Sequence, residues 1–83
     1  MKRNEIRGVL LDAIENVAPG CIPASGIDDS ADIRDQLDLD SMDILNIVDE
    51  IDVRLGVAIP DADVATITTI ARAVDYIESA LAA

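Results

Sequence analysis

Apolar residues recur at helical spacing in three stretches of the chain. In the first, Ile6, Val9, Leu10, Ala13, Ile14 and Val17 follow the i, i+3, i+4, i+7 pattern, with Asp12, Glu15 and Asn16 on other faces. Asn4 is the expected cap, and Pro19-Gly20 closes the segment. The second stripe, Ile44, Ile47, Val48, Ile51 and Leu55, ends at Gly56. Its start falls at Asp40 or Ser41, because Asp40 can cap while Asp43, three residues on, reaches back as in a capping box. The third stripe, Ile70, Ala73, Val74, Ile77 and Leu81, follows Thr68 or Thr69 as cap.

Between these stripes the pattern breaks. Cys21 to Leu39 contains Pro23, Gly26, Asp28, Asp29 and Ser30 without a sustained period, which predicts a long structured loop with one helical turn near Ala31 to Gln36. Pro60-Asp61 predicts a very short helix over Ala62 to Ala65, capped by Asp61. Val57-Ala58-Ile59 is too short for a strand and is ended by Pro60. The expectation is one all-α domain over residues 1–83. It is a small four-helix bundle with three main amphipathic helices, a short third helix and a long loop between the first two.

Composition changes the picture in two ways. Tyr76 is the sole aromatic residue, so the core is built from Ile, Val, Leu and Ala and is soft enough to deform around an aliphatic guest. Seventeen acidic against six basic residues give a net charge of −11, beyond the magnitude of about 2 to 8 usual for a small soluble domain. Nucleic acid is thereby excluded as a natural partner. From Asp28 to Asp52 ten acidic residues face Arg34 alone, a field of one sign that attracts basic surfaces.

Several chemistries are missing. Cys21 is the single cysteine and histidine is absent, which removes an intrachain disulfide, a Cys/His zinc cluster and a histidine general base. The run Asp38-Leu39-Asp40-Ser41-Met42-Asp43 begins like a calcium loop, but Met42 stands at its fifth position and Asp43 replaces the turn glycine. A serine hydrolase lacks both its base and its Gly-x-Ser-x-Gly elbow. Met1-Lys2-Arg3 leads into Asn4 and Glu5 without the apolar run of a signal peptide, and no stretch approaches the roughly 18 apolar residues of a membrane span. The reading is a non-enzymatic, cytoplasmic monomer with no metal site and no membrane insertion.

What remains is Ser41. A helix start collects unpaired N–H groups and the positive end of the helix dipole, so a phosphate esterified to that hydroxyl is favourably placed. The ordered landmarks Leu37, Asp40-Ser41-Met42-Asp43, Ile59-Pro60-Asp61, Ile67-Thr68-Thr69 and Asp75-Tyr76-Ile77 resemble those of the acyl carrier protein family across roughly Ile6 to Ile77. The resemblance implies that Ser41 carries a covalent 4′-phosphopantetheine arm derived from coenzyme A, with Asp40 and Met42 beside it. It implies a phosphopantetheinyl transferase and acyl-transfer or acyl-modifying enzymes with basic patches as partners, met by Asp40, Met42, Asp43 and Asp52. It also makes Val48, Ile51, Ile59, Val64, Ile67, Ile70 and Val74 candidates to line an acyl cleft. The cargo implied is an acyl intermediate of fatty-acid, polyketide or specialised lipid biosynthesis. The alternative is a non-catalytic acidic adaptor in which Ser41 only caps. Departures from the family pattern are Asp38 in place of a glycine, Ile33 and Arg34 at positions usually aromatic and apolar, and Asn46, Asp49 and Val53 on the second main helix.

Overall fold

The computed structural model describes residues 1–82 and contains five helices among them: α1 (Arg3–Val17), α2 (Ile33–Leu37), α3 (Ser41–Leu55), α4 (Asp61–Val64) and α5 (Ile70–Ala82). The architecture is the all-α bundle expected, with the helical turn of the long loop closed into a helix of its own, α2. No strand forms among the described residues. One isolated antiparallel bridge joins Asp32 to Thr69.

The three long helices bury the faces that their periodicity marks. Ile6, Leu10, Ala13 and Ile14 of α1 meet Ile47, Val48 and Ile51 of α3 and Ile70, Ala73, Val74 and Ile77 of α5 in one core, and α1 packs against both partners. Ile6, Leu10, Ile14, Ile51, Ile70 and Ile77 are almost wholly removed from water, and each such side chain contributes about 2 kcal/mol of hydrophobic stabilisation. Leu81 departs from its stripe and is 40% exposed. It lies in the last turn of α5, past the point where that face has a neighbour to meet.

Two caps fall elsewhere than expected. α1 is capped at Lys2, whose N–H donates to the Glu5 carboxylate at 2.9 Å, and Asn4 lies inside the helix. Glu5 supplies the acceptor one turn in, so the helix extends back to Arg3, whose guanidinium bridges to Asp75 (2.6 Å) and Glu78 (3.0 Å) on α5. α4 begins at Asp61 itself with Pro60 as its cap, since the fixed φ of proline (−62°) already points the chain into the turn. It ends at Val64, one residue earlier than expected. At α5, Thr69 Oγ1 accepts from the Arg72 N–H at 3.1 Å, as a cap should.

The long loop is anchored to the bundle. Arg7 grips Asp29 with two hydrogen bonds of 2.9 and 2.8 Å, while the Asp29 carbonyl accepts from the Ala71 N–H at 3.0 Å, so one residue links α1 to the start of α5. Ile33 N–H donates to the Thr68 carbonyl at 2.9 Å. These ties carry α2 to the edge of α4 and α5. Val57 and Ile59 are buried while Ala58 is exposed, which pins the connection from α3 to α4 to the core without a strand.

Candidate functional site

Ser41 sits at the first position of α3, exposed, where a chain of local interactions holds it. α2 ends at Asp38, which adopts the left-handed conformation (φ 55°, ψ 46°). That region strongly favours glycine, and aspartate is among the few other residues that visit it. Leu37 and Leu39, on either side, are both buried and peg the turn. The Arg34 carbonyl accepts from the N–H groups of Asp38 and of Leu39 (3.0 Å).

Asp40 follows as the cap of α3. Its carboxylate accepts from the Asp43 N–H at 2.8 Å, and the Asp43 carboxylate accepts from the Asp40 N–H at 3.3 Å. Aspartate in place of glutamate at the third helical position therefore still reaches back, through the longer of the two bonds. The box leaves Ser41 and Met42 at the first two helical positions, where N–H groups have no carbonyl of their own helix to bond.

Ser41 borders a cleft of about 290 Å³ lined by Ile33, Arg34, Ile44, Leu45, Asp61, Val64, Ala65, Ile67 and Thr68. Its wall is apolar over most of its area, contributed by α2, the first turns of α3, and α4 with the turn that follows. The size lies at the small end of ligand pockets, about 300 to 1,000 Å³. Of the cleft candidates, Val64 and Ile67 line this space. Val48, Ile51, Ile59, Ile70 and Val74 are buried in the shared core away from its wall. Ile33, Ile44, Leu45 and Ala65 line it without having been singled out as cleft residues. Ile33 and Leu45 carried the apolar signal that could have found them.

α4 forms one side of the cleft and buries none of its residues fully. It is tied to α5 by the Tyr76 hydroxyl, which donates to Asp63 at 2.7 Å. That bond to a carboxylate holds the Tyr76 phenol above its ordinary pKa of 10.0.

Outside the cleft, Met42 (71% exposed) and Val53 (81%) place apolar side chains on the solvent side of α3, and Leu45, on the cleft rim, is itself 49% exposed. Asp40 and Asp52 are exposed and Asp43 is half-buried. Glu50 is engaged by Asn16 and Arg54 at the far end of the helix. Cys21 is half-buried, and desolvation followed by the charge of Glu15 raises its thiol pKa, which keeps it protonated. Among the described residues no group of three His, Cys, Asp or Glu side chains is arranged to hold a metal ion, and no helix is long and apolar enough to cross a membrane.

A helical bundle that presents an exposed serine at a helix start, beside an apolar cleft, has the form of a protein that carries a tethered group. Comparison with known proteins agrees. The model of the phosphopantetheine attachment site family matches residues 9–77. An acyl carrier protein of Acidothermus cellulolyticus is 35% identical over 80 residues, covering 96% of this chain and 93% of its own. An acyl carrier protein of Rubrobacter xylanophilus is 37% identical over 57 residues, covering 63% of this chain and 70% of its own. No solved structure matches significantly. The chain belongs to the acyl carrier protein family, whose cofactor is covalent 4′-phosphopantetheine.

The residues present fit that group. An arm joined through a phosphodiester needs an exposed hydroxyl, an environment that tolerates an anion, and an apolar surface within reach. Ser41 is exposed at the positive end of a 15-residue helix, and the cleft begins beside it.

Proposed function

We propose that this protein carries acyl intermediates as thioesters on a 4′-phosphopantetheine arm attached to Ser41, in fatty-acid, polyketide or specialised lipid biosynthesis. The observation that carries this reading is the shared geometry of Ser41 and the cleft: the one exposed hydroxyl at the start of α3 borders the apolar space between α2, α3 and α4. When bound, the arm supplies a terminal thiol on which an acyl group is held and passed between enzymes.

The chain's own residues position and recognise. Ser41 Oγ is the nucleophile in the attachment step, which takes place on a separate phosphopantetheinyl transferase. Asp40 and Asp43 hold the start of α3 in register through their reciprocal bonds. With Asp52 they offer carboxylates to basic patches on the transferase and on acyl-transfer or acyl-modifying enzymes. Met42, unbranched and largely exposed, gives those partners an adaptable apolar contact. Ile33, Ile44, Val64 and Ile67 shield a short acyl chain, or the first part of a longer one, from water. The protein performs no chemistry on its cargo, and its setting is the cytoplasm.

The test is direct. Incubation of the unmodified protein with coenzyme A and a broad-specificity transferase should add one phosphopantetheine to the intact mass, and Ser41→Ala should abolish the gain. No gain in the parent protein, or a gain that persists in the variant, overturns the assignment. The acidic adaptor, in which Ser41 serves only the helix start, is the outcome left standing in the first case.

A further inference from the structure

The cleft has one cationic residue in its wall. Arg34 lines the same space as Ser41, and it is the only basic residue between Asp28 and Asp52, a stretch with ten carboxylates. The start of α3 favours an anion, but the carboxylates around it oppose one, and a cation on the same wall offsets them.

Arg34 is held in place while keeping donors free. Asp32 accepts from its Nε at 3.3 Å and from its Nη2 at 3.0 Å. The same carboxylate caps α2 by accepting from the Arg34 N–H at 2.8 Å. Asp32 is itself tied by its bridge to Thr69, the residue before α5, and the next residue, Ile33, donates to the Thr68 carbonyl. Of the five N–H donors of a guanidinium, these contacts use two. The side chain remains about half exposed (51%) on the rim.

We infer that Arg34 is a positioning residue for the arm, its guanidinium pairing with the phosphodiester that joins the arm to Ser41 and directing the arm toward the cleft formed by α2, α3 and α4. The inference rests on the attachment of the arm at Ser41. Asp32 anchors this contact: it holds Nε and one Nη2 hydrogen and leaves the other three donors of the guanidinium for the phosphate. The planar fork of arginine suits a phosphate with two oxygens to offer. Without Arg34 the tethered phosphate keeps only the N–H groups at the start of α3 against the surrounding carboxylates, among them Asp61 in the cleft wall, and the arm is no longer directed toward the cleft.

The experiment compares apo and holo forms of the parent protein, Arg34→Gln, Arg34→Lys and Arg54→Gln. Arg54 is a matched control: it removes the same charge 13 residues along α3, about 20 Å from Ser41 at 1.5 Å per residue, beyond the screening length of about 8 Å at physiological salt. Two readouts are taken, the melting temperature of each form and the 31P resonance of the phosphodiester in each holo form. Attachment of the arm should lower the melting temperature of Arg34→Gln by about 2 °C more than that of the parent, the effect of one exposed ion pair in a domain of this size. The 31P resonance should move in Arg34→Gln, move less in Arg34→Lys, and stay in place in Arg54→Gln.

A merely structural role of Arg34 with Asp32 lowers the apo and holo melting temperatures equally and leaves the 31P resonance unmoved, and that result overturns the inference. A shift of the same size in Arg54→Gln overturns it too, since it reports net charge and not contact. Failure of any arm to attach at Ser41 overturns the carrier reading itself, and is recognised by mass before the comparison begins.

Discussion

Asp40 does two physically separate jobs beside Ser41, and two substitutions pull them apart. Its carboxylate accepts from the Asp43 N–H at 2.8 Å, so Asp40→Ala leaves that donor to water and removes one half of the capping box. Loss of a cap of this kind costs about 1 kcal/mol, which in a domain of this length lowers the melting temperature by about 4 to 8 °C. Asp40→Asn keeps an oxygen at the same place and loses only the charge at the positive end of α3. That exposed dipole interaction is worth about 0.5 kcal/mol, partly offset by relief from neighbouring carboxylates. The asparagine variant should therefore retain most of the stability. Its deficit lies in recognition: one charge lost at about 6 Å from a basic group in water is about 0.7 kcal/mol, or threefold in the rate of arm attachment. Urea unfolding followed by circular dichroism measures the first effect, and intact mass against time in 0.05 to 0.5 M salt measures the second. Equal destabilisation by Asn and Ala would refute the cap. Attachment rates for the parent and Asp40→Asn that agree and do not fall with salt would refute electrostatic attraction and leave shape recognition alone.

Three further outcomes are expected. Arg7→Ala should cost about 1 kcal/mol at neutral pH, since the two-bond grip on Asp29 is lost together with its tie between the loop and α1. The hydrogen bond from Arg7 lowers the Asp29 pKa below its ordinary 3.8, so this contribution is fully present above that value and disappears as pH falls through the depressed one. The stability gap between parent and Arg7→Ala, followed from pH 7 downward, should be level to about pH 5 and close below it; a gap that persists in strong acid would contradict the pairing. Tyr76→Phe removes the tie between α4 and α5 and should speed amide hydrogen exchange at α4 more than at α1. Because the Tyr76 pKa is raised, the parent keeps this tie below the ordinary value of 10.0 and loses it as pH rises through the raised one. Asp38→Gly relieves a left-handed aspartate at the end of α2 and should raise stability by up to about 1 kcal/mol, whereas a β-branched residue there should lower it, both read as urea midpoints.

The same residues show how much of the fold is legible in the sequence. The three long helices follow from apolar positions spaced to one face, and the start of α3 follows from Asp40 and Asp43, because each of these depends on residues within a turn of one another. Gly56 ends α3 with φ 68° for the same local reason. The caps at Lys2 and Pro60 were less visible. In one a glutamate reaches back from the third helical position, in the other proline fixes its own φ, and both compete with ordinary polar caps nearby.

The sequence by itself determined that the chain is a helical bundle, that its surface is strongly acidic, and that Ser41 opens a helix as the attachment serine of a carrier would. Tertiary structure decided which apolar residues face a cleft and which face the core. Periodicity assigns a residue to a helix face, but it does not say which neighbour that face meets. Val64 and Ile67 therefore border the space beside Ser41, while Val48, Ile51, Ile59, Ile70 and Val74 fill the interior. Arg34 was likewise a lone cation in an acidic run until the bridge of Asp32 to Thr69 drew α2 against the end of α4 and set that charge in the wall that Ser41 shares. Contacts between residues more than 30 apart in the chain made that arrangement, and no local pattern encodes them.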